Sequence, residues 1–239
     1  MPYYYYGFDW TYLVIVLPCL LLSMLASASV NSTFKKYSKQ FSARGLTGAE
    51  AAERVLRRNG VTQVRIERVS GNLTDHYDPK SNVIRLSDSV YNSTSTAAIG
   101  VACHEAGHAV QYAQHYAPIK LRAAIIPITN FGSKLAIPLI LLGVLLGALG
   151  NYSYTLVYAG IACFSLSLVF QLITLPVEFN ASRRAMVAME EGELLTREEL
   201  RGARKTLTAA AMTYVAAVAV AAAQLLRLVL LFGGRRRND

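Results

Sequence analysis

Four long apolar runs, residues 13–30, 135–149, 156–175 and 209–232, constrain this chain more than any other feature of it. A helix needs about 20 apolar residues to cross the hydrocarbon core of a bilayer. Inside lipid the backbone must satisfy its own hydrogen bonds, which favours helices. The runs therefore predict a mainly α-helical integral membrane protein with about four transmembrane helices. Hydrophobic residues make up 53% of the chain against 16% charged, and mean hydropathy is +0.31, too apolar for a soluble enzyme. The second run extends backward through Ile125, Ile126 and Pro127 but is interrupted by Asn130 and Lys134. A re-entrant helix is the alternative there.

Charge flanks these runs unevenly. No Lys or Arg precedes the first, whereas Lys35, Lys36, Lys39 and Arg44 follow it, so it reads as an anchor and not a cleaved signal. Arg183, Arg184, Arg197, Arg201, Arg204 and Lys205 follow the third run, and residues 150–154 carry no charge. The excess of positive charge on cytoplasmic loops then places residues 31–121 and 176–208 inside the cell, with the N-terminus outside. Arg235, Arg236 and Arg237 run against that rule. Residues 3–6 (YYYY) and Trp10 read as an interfacial aromatic belt. The net charge of +9 sits beside apolar spans, which suits lipid headgroups and argues against a nucleic-acid partner. Cys19, Cys103 and Cys163, odd in number and widely spaced, give no disulfide framework.

The polar stretch after the anchor reads as a small α+β unit. Thr47 and Glu50 make a capping box for a helix ending near Arg58, with Gly60 just beyond. Residues 64–69 alternate as a strand, Asp78-Pro79 and Ser81-Asn82 mark a turn, and residues 83–86 form a second strand.

A helical pattern over residues 95–116 then carries His104, Glu105, Ala106, Gly107 and His108, the spacing H-E-x-x-H. Residues i and i+4 lie about 40° apart around a helix, so both imidazoles project from one face and can share one Zn²⁺. Glu105 falls beside the metal position and can take a proton from an attacking water. The pattern predicts a zinc hydrolase site of the peptidase kind.

Zinc hydrolases commonly add a third protein ligand. His115, about 10 Å further along the helix than His108, is too far, and the longer metzincin motif, with Gly at 111 and His at 114, is not met, since Gln stands at both positions. Among the downstream carboxylates, Glu190, Glu191, Glu193, Glu198 and Glu199 form a polar, solvated run, leaving Glu178 directly after an apolar segment. Pro176 is expected to open a helix there. Glu178 is then either the third ligand, which we favour, or a carboxylate placed by the helix N-terminal dipole.

Residues 73–79 (LTDHYDP), 83–87 (VIRLS), 97–111 (AAIGVACHEAGHAVQ) and 175–183 (LPVEFNASR) resemble the YugP-like family of neutral zinc metallopeptidases, and the likeness spans nearly the whole chain. It implies a multi-pass peptidase of the bacterial cell (inner) membrane, dependent on Zn²⁺ and acting on peptide or protein substrates, some within the membrane. More distantly the plan is similar to HtpX-like and CAAX-prenyl proteases, where a Glu on a later helix completes a gluzincin-type His₂Glu site. Those relatives carry Asp four residues after that Glu as partner to a histidine; here Ser182 stands in its place. In such zincin-like units the strand before the motif helix is a sheet edge to which substrate adds, making Val83, Ile84, Arg85 and Leu86 the candidates, with an ordinary paired strand as the alternative. His76 is a candidate for polarising the scissile carbonyl.

The expected organisation is thus a belt and first span over 1–32, a juxtamembrane catalytic unit over 33–121, and spans two and three over 122–175. A third-ligand helix with an acidic and basic connection covers 176–208, and the fourth span with its basic tail covers 209–239. The active site is expected to face the cytoplasm. A non-catalytic zinc-binding scaffold that regulates a partner, or a zinc hydrolase of a lipid or non-peptide amide, would use the same ligands. The intact Glu105 favours catalysis.

Overall fold

The computed structural model describes residues 9–147 and 153–233. The tyrosine run, the turn at Gly150 and the basic tail lie outside them. Among the described residues six α-helices and three strands follow in the order α1 (Leu17–Tyr37), α2 (Gly48–Arg58), β1 (Arg65–Val69), β2 (His76–Asp78), β3 (Val83–Ser87), α3 (Thr96–Ala113), α4 (Ala117–Leu146), α5 (Ser153–Glu191) and α6 (Arg197–Phe232). A π-helical turn, Tyr12–Val16, leads into α1.

Among the described residues four helices are long and apolar enough to cross a membrane: Tyr12–Tyr37, Ala117–Leu146, Tyr154–Glu191 and Arg197–Phe232. Their large side chains face outward, with Leu25 66% and Leu145 70% exposed, a surface that water would penalise and lipid accepts. α4 is one continuous helix through Asn130, Lys134, Pro127 and Pro138. Pro176 likewise lies inside α5 and does not start a helix. Proline lacks the N–H that the carbonyl of Leu172 would accept, yet long apolar helices tolerate that loss. Glu178 is therefore far along α5 from its N-terminus, and the dipole of a helix opening at Pro176 does not account for it.

The chain divides into two compact units. In the first, residues 1–25, 121–175 and 214–239, α4 and α5 meet through small residues. A Cβ on Gly160 would sit 2.7 Å from the carbonyl oxygen of Ala136, and the Ser133 and Ser167 hydroxyls lie 2.8 Å apart. Small residues and hydroxyls are what draw helices together in lipid. Arg227 pairs with Asp9 through Nε and Nη2 and lies over the Tyr12 ring.

The second unit, residues 26–120 and 176–213, holds the sheet, α2, α3 and the polar ends of the long helices. α2 starts at the expected capping box: Thr47 Oγ1 accepts from Glu50 N, and the Glu50 carboxylate accepts from Thr47 N at 2.8 Å. Gly60 follows α2 with φ +68°, the left-handed value that ends a helix cheaply. The core joins Ala52, Val55 and Leu56 of α2, Ile84 and Leu86 of β3, and Ala98, Ala102, Ala106 and Val110 of α3.

The sheet order is β1-β3-β2, with β3 parallel to β1 and antiparallel to β2. This corrects the expected substrate edge. Val83, Ile84 and Arg85 pair on both sides, and Leu86 pairs with Arg68 of β1. Val83, Ile84 and Leu86 are wholly buried, as a central strand requires. The strand that displaces β3 from the edge is β2, which begins at His76.

Candidate metal centre

α3 presents the motif because its start is fixed. Ser95 is the N-cap, its side chain accepting from Ala98 N at 3.2 Å, and Thr96 Oγ1 donates to Tyr37 O at 3.3 Å. The helix stops after His108 has been placed, where His115 takes φ +57°. Between those ends His104 and His108 share one face, their rings 4.7 Å apart and nearly perpendicular.

α5 delivers the third group by crossing α3 at very short range. Gly107, inside the motif, makes that possible, since a Cβ there would lie 2.8 Å from the carbonyl oxygen of Ala181. Glu178, one turn before Ala181, is 2% exposed, with Oε2 3.3 Å from His104 Nε2 and 3.5 Å from His108 Nε2. One ligand atom from each of the three residues falls within 4.8 Å of the others. Four ligands about 2.1 Å from a tetrahedral zinc stand roughly 3.4 Å apart. The spacing therefore fits a single ion, and two imidazole nitrogens with one carboxylate oxygen suit Zn²⁺ chemically.

Burial would press the His108 proton off, but its bond to Glu178 and the negative charges of Glu105 and Glu178 outweigh that and raise its pKa above the usual imidazole value. Glu105 is buried and stands outside the ligand set. Ser182 Oγ lies 3.1 Å from His104 Nδ1, so the hydroxyl occupies the position expected of an orienting partner. His76 is exposed, its Nδ1 2.9 Å from Thr74 O, and is not among the ligand-bearing residues. Cys103 is buried in the core with its thiol pushed well above its usual range, and is inert.

Three polar residues escaped the sequence reading. Asp75 accepts from Ser87 N at 2.7 Å and Ser87 Oγ at 3.0 Å; burial raises its pKa, the Ser87 bonds oppose this, and the charge of Glu105 adds to it. Gln111 is fully buried beside His108, and Asn180 lies next to it on α5. Gln111 sits three residues after His108 on the same helical face, which was a usable signal. A cavity of about 320 Å³ lies elsewhere, where Gly107 and Val110 face Val55, Arg58, Arg184 and Ala188, and none of the motif's His or Glu side chains lines it.

A largely buried His₂Glu set on two crossing helices, with Glu105 near it and four span-length helices among the described residues, makes a candidate metal centre in a chain built for a membrane. The chain belongs to the family described as "Putative neutral zinc metallopeptidase", whose pattern matches residues 12–233. It is 48% identical over 229 residues to the "Putative membrane protease YugP" of Bacillus subtilis (strain 168), covering 95% of this chain and 99% of that one. No solved structure matches it.

Proposed function

We propose that this protein is a membrane-embedded, zinc-dependent peptidase that cleaves peptide bonds of a peptide or protein substrate at the cytoplasmic face. The observation that carries this reading is the convergence of His104 Nε2 and His108 Nε2 on one oxygen of Glu178, with Glu105 adjacent and not spent as a ligand.

His104, His108 and Glu178 would hold the ion, which when bound supplies Lewis acidity and lowers the pKa of water toward about 7. Glu105 accepts the proton of the attacking water as its oxygen bonds to the scissile carbonyl carbon. As the C–N bond breaks, the same carboxyl returns the proton to the departing amine. Ser182 steadies the His104 ring through Nδ1. β2 is the edge of the sheet beside α3, its Tyr77 ring packed 5.6 Å from that of Tyr112, and its outer side is where an extended substrate would pair. The cytoplasmic assignment rests on the basic residues that follow the first and third apolar runs.

Metal analysis, peptide cleavage and proteomic trapping with Glu105→Gln test the reaction. The variant should keep about one zinc per chain and lose ~10²–10⁴-fold in rate, the usual contribution of a general base; cleavage within threefold of wild type would remove Glu105 from its role. For sidedness, in a Cys19→Ala, Cys163→Ala background, cysteine at Phe41 should resist a membrane-impermeant maleimide in intact cells and cysteine at Tyr154 should react. Both native side chains are exposed, at 68% and 37%. The reverse pattern would place the site outside.

A further inference from the structure

His108 is held by a chain of hydrogen bonds whose polarity can be followed atom by atom. It begins at Arg184, whose guanidinium only donates. Arg184 Nη1 donates to Gln114 Oε1 at 2.6 Å, and the guanidinium lies 5.9 Å from the Tyr116 ring, so the side chain is fixed at its far end. Its Nε donates to Asn180 at 2.7 Å, so the Asn180 atom facing it must be the amide oxygen. That same oxygen accepts from Gln111 at 2.9 Å, and the Val177 carbonyl, which can only accept, takes a second bond from Gln111 at 2.8 Å. Both bonds come from the Gln111 nitrogen, and both its protons are used. The Gln111 oxygen is then left facing His108 Nδ1 at 3.0 Å, and an amide oxygen demands a proton on that ring nitrogen.

We infer that Gln111, locked by Val177, Asn180 and Arg184, is the positioning residue that holds His108 as its Nδ1–H tautomer and keeps its Nε2 lone pair aimed at the metal position. The inference rests on the metal reading of His104, His108 and Glu178. Gln111 is wholly buried, so water has little access to its own bonds to His108 and Val177. It also ties α3 to α5 at the residues before and just after Glu178, so one side chain sets both the His108 tautomer and the approach of the carboxylate. His104 has no such lock. Its partner, the Ser182 hydroxyl, can donate or accept and fixes neither tautomer.

Full-length protein labelled with ¹⁵N-histidine, in detergent and at a pH where His108 is neutral, tests this by NMR of the ring nitrogens. The His108 signals are assigned by their loss in His108→Ala. In metal-free Glu178→Ala, which removes the carboxylate facing Nε2 at 3.5 Å, His108 should be protonated at Nδ1 alone; a neutral ring protonated at Nε2 would overturn the proposal. Adding Gln111→Leu to that variant should bring in the Nε2–H form, and Gln111→Leu alone should weaken zinc binding ~10–100-fold, the usual effect of losing such a partner. Asn180→Asp, which keeps the accepting oxygen, should leave the tautomer unchanged and zinc affinity within threefold. A Gln111→Leu protein with the wild-type tautomer and affinity would sink the idea. The Nδ1–H tautomer in Glu178→Ala together with a wild type that binds no zinc would overturn the metal reading alone, since the tautomer is read in metal-free protein.

Discussion

His104 and His108 stand one turn apart on the same helix and approach the same carboxylate oxygen, at 3.3 and 3.5 Å, yet they are held in different ways. His108 Nδ1 meets an amide oxygen inside a network whose polarity is set by a guanidinium and a main-chain carbonyl. His104 Nδ1 meets a single hydroxyl that can turn. Identical ligands on one face therefore need not be equally prepared for a metal. On the proposed metal reading, one would arrive already aligned, while the other would settle as the ion binds. A buried polar group with every partner supplied is stiff, and one with an adaptable partner keeps freedom.

The widest break in this comparison is to remove what the two rings share. Glu178→Ala should abolish stoichiometric zinc binding, an effect beyond the ~100-fold upper end of partner changes, because it deletes a ligand. Glu190→Ala and Glu193→Ala should bind as wild type, Glu190 lying on the exposed side of α5 and Glu193 beyond its end. Calorimetry with zinc reads this directly. Full occupancy in Glu178→Ala would return the third ligand to the other carboxylates.

A smaller loss should come from changing how closely α5 approaches. In Gly107→Ala the new methyl would meet the Ala181 carbonyl at 2.8 Å, a backbone atom that cannot swing aside. Overpacking of this kind costs about 1–3 kcal/mol, equal to roughly 5–150-fold in zinc affinity if the strain falls on the helix crossing. Both histidines remain on α3, so the loss should appear in metal affinity while the helical content measured by circular dichroism stays constant. Unchanged affinity would mean that α5 can shift without moving Glu178.

Much of this site was legible from local rules, and the remainder depends on contacts that local rules do not see. The H-E-x-x-H spacing and the position of Glu178 after an apolar run singled out the residues that the fold brings together. Thr47 and Glu50 marked the start of α2 because a capping box is complete within four residues. Pro176 misled because the proline rule is written for helices in water, while α5 continues through it. The edge role of β3 was taken from the family resemblance, and β2, only three residues long, is too short to show the alternation that would have corrected it. Gln111 carried its signal in its spacing from His108, but Val177 and Asn180 lie 66 and 69 residues away, and only the crossing of α3 and α5 shows what it does.

Ser182 offers the finest test of the difference between the two imidazoles. If its hydroxyl is an adaptable partner, Ser182→Ala should cost His104 little, a few-fold in zinc affinity, well short of the ~10–100-fold expected for a fixed partner. Ser182→Asp should move the other way. A carboxylate can only accept when ionised, so it would demand a proton on His104 Nδ1, fix the second tautomer as Gln111 fixes the first, and raise the basicity of Nε2. Zinc should then bind as tightly as in wild type or about tenfold more so, and ring-nitrogen NMR of the metal-free variant should show both histidines protonated at Nδ1. Equal losses from Ser182→Ala and Gln111→Leu would erase the contrast, because the hydroxyl would then be holding His104 as firmly as the amide holds His108.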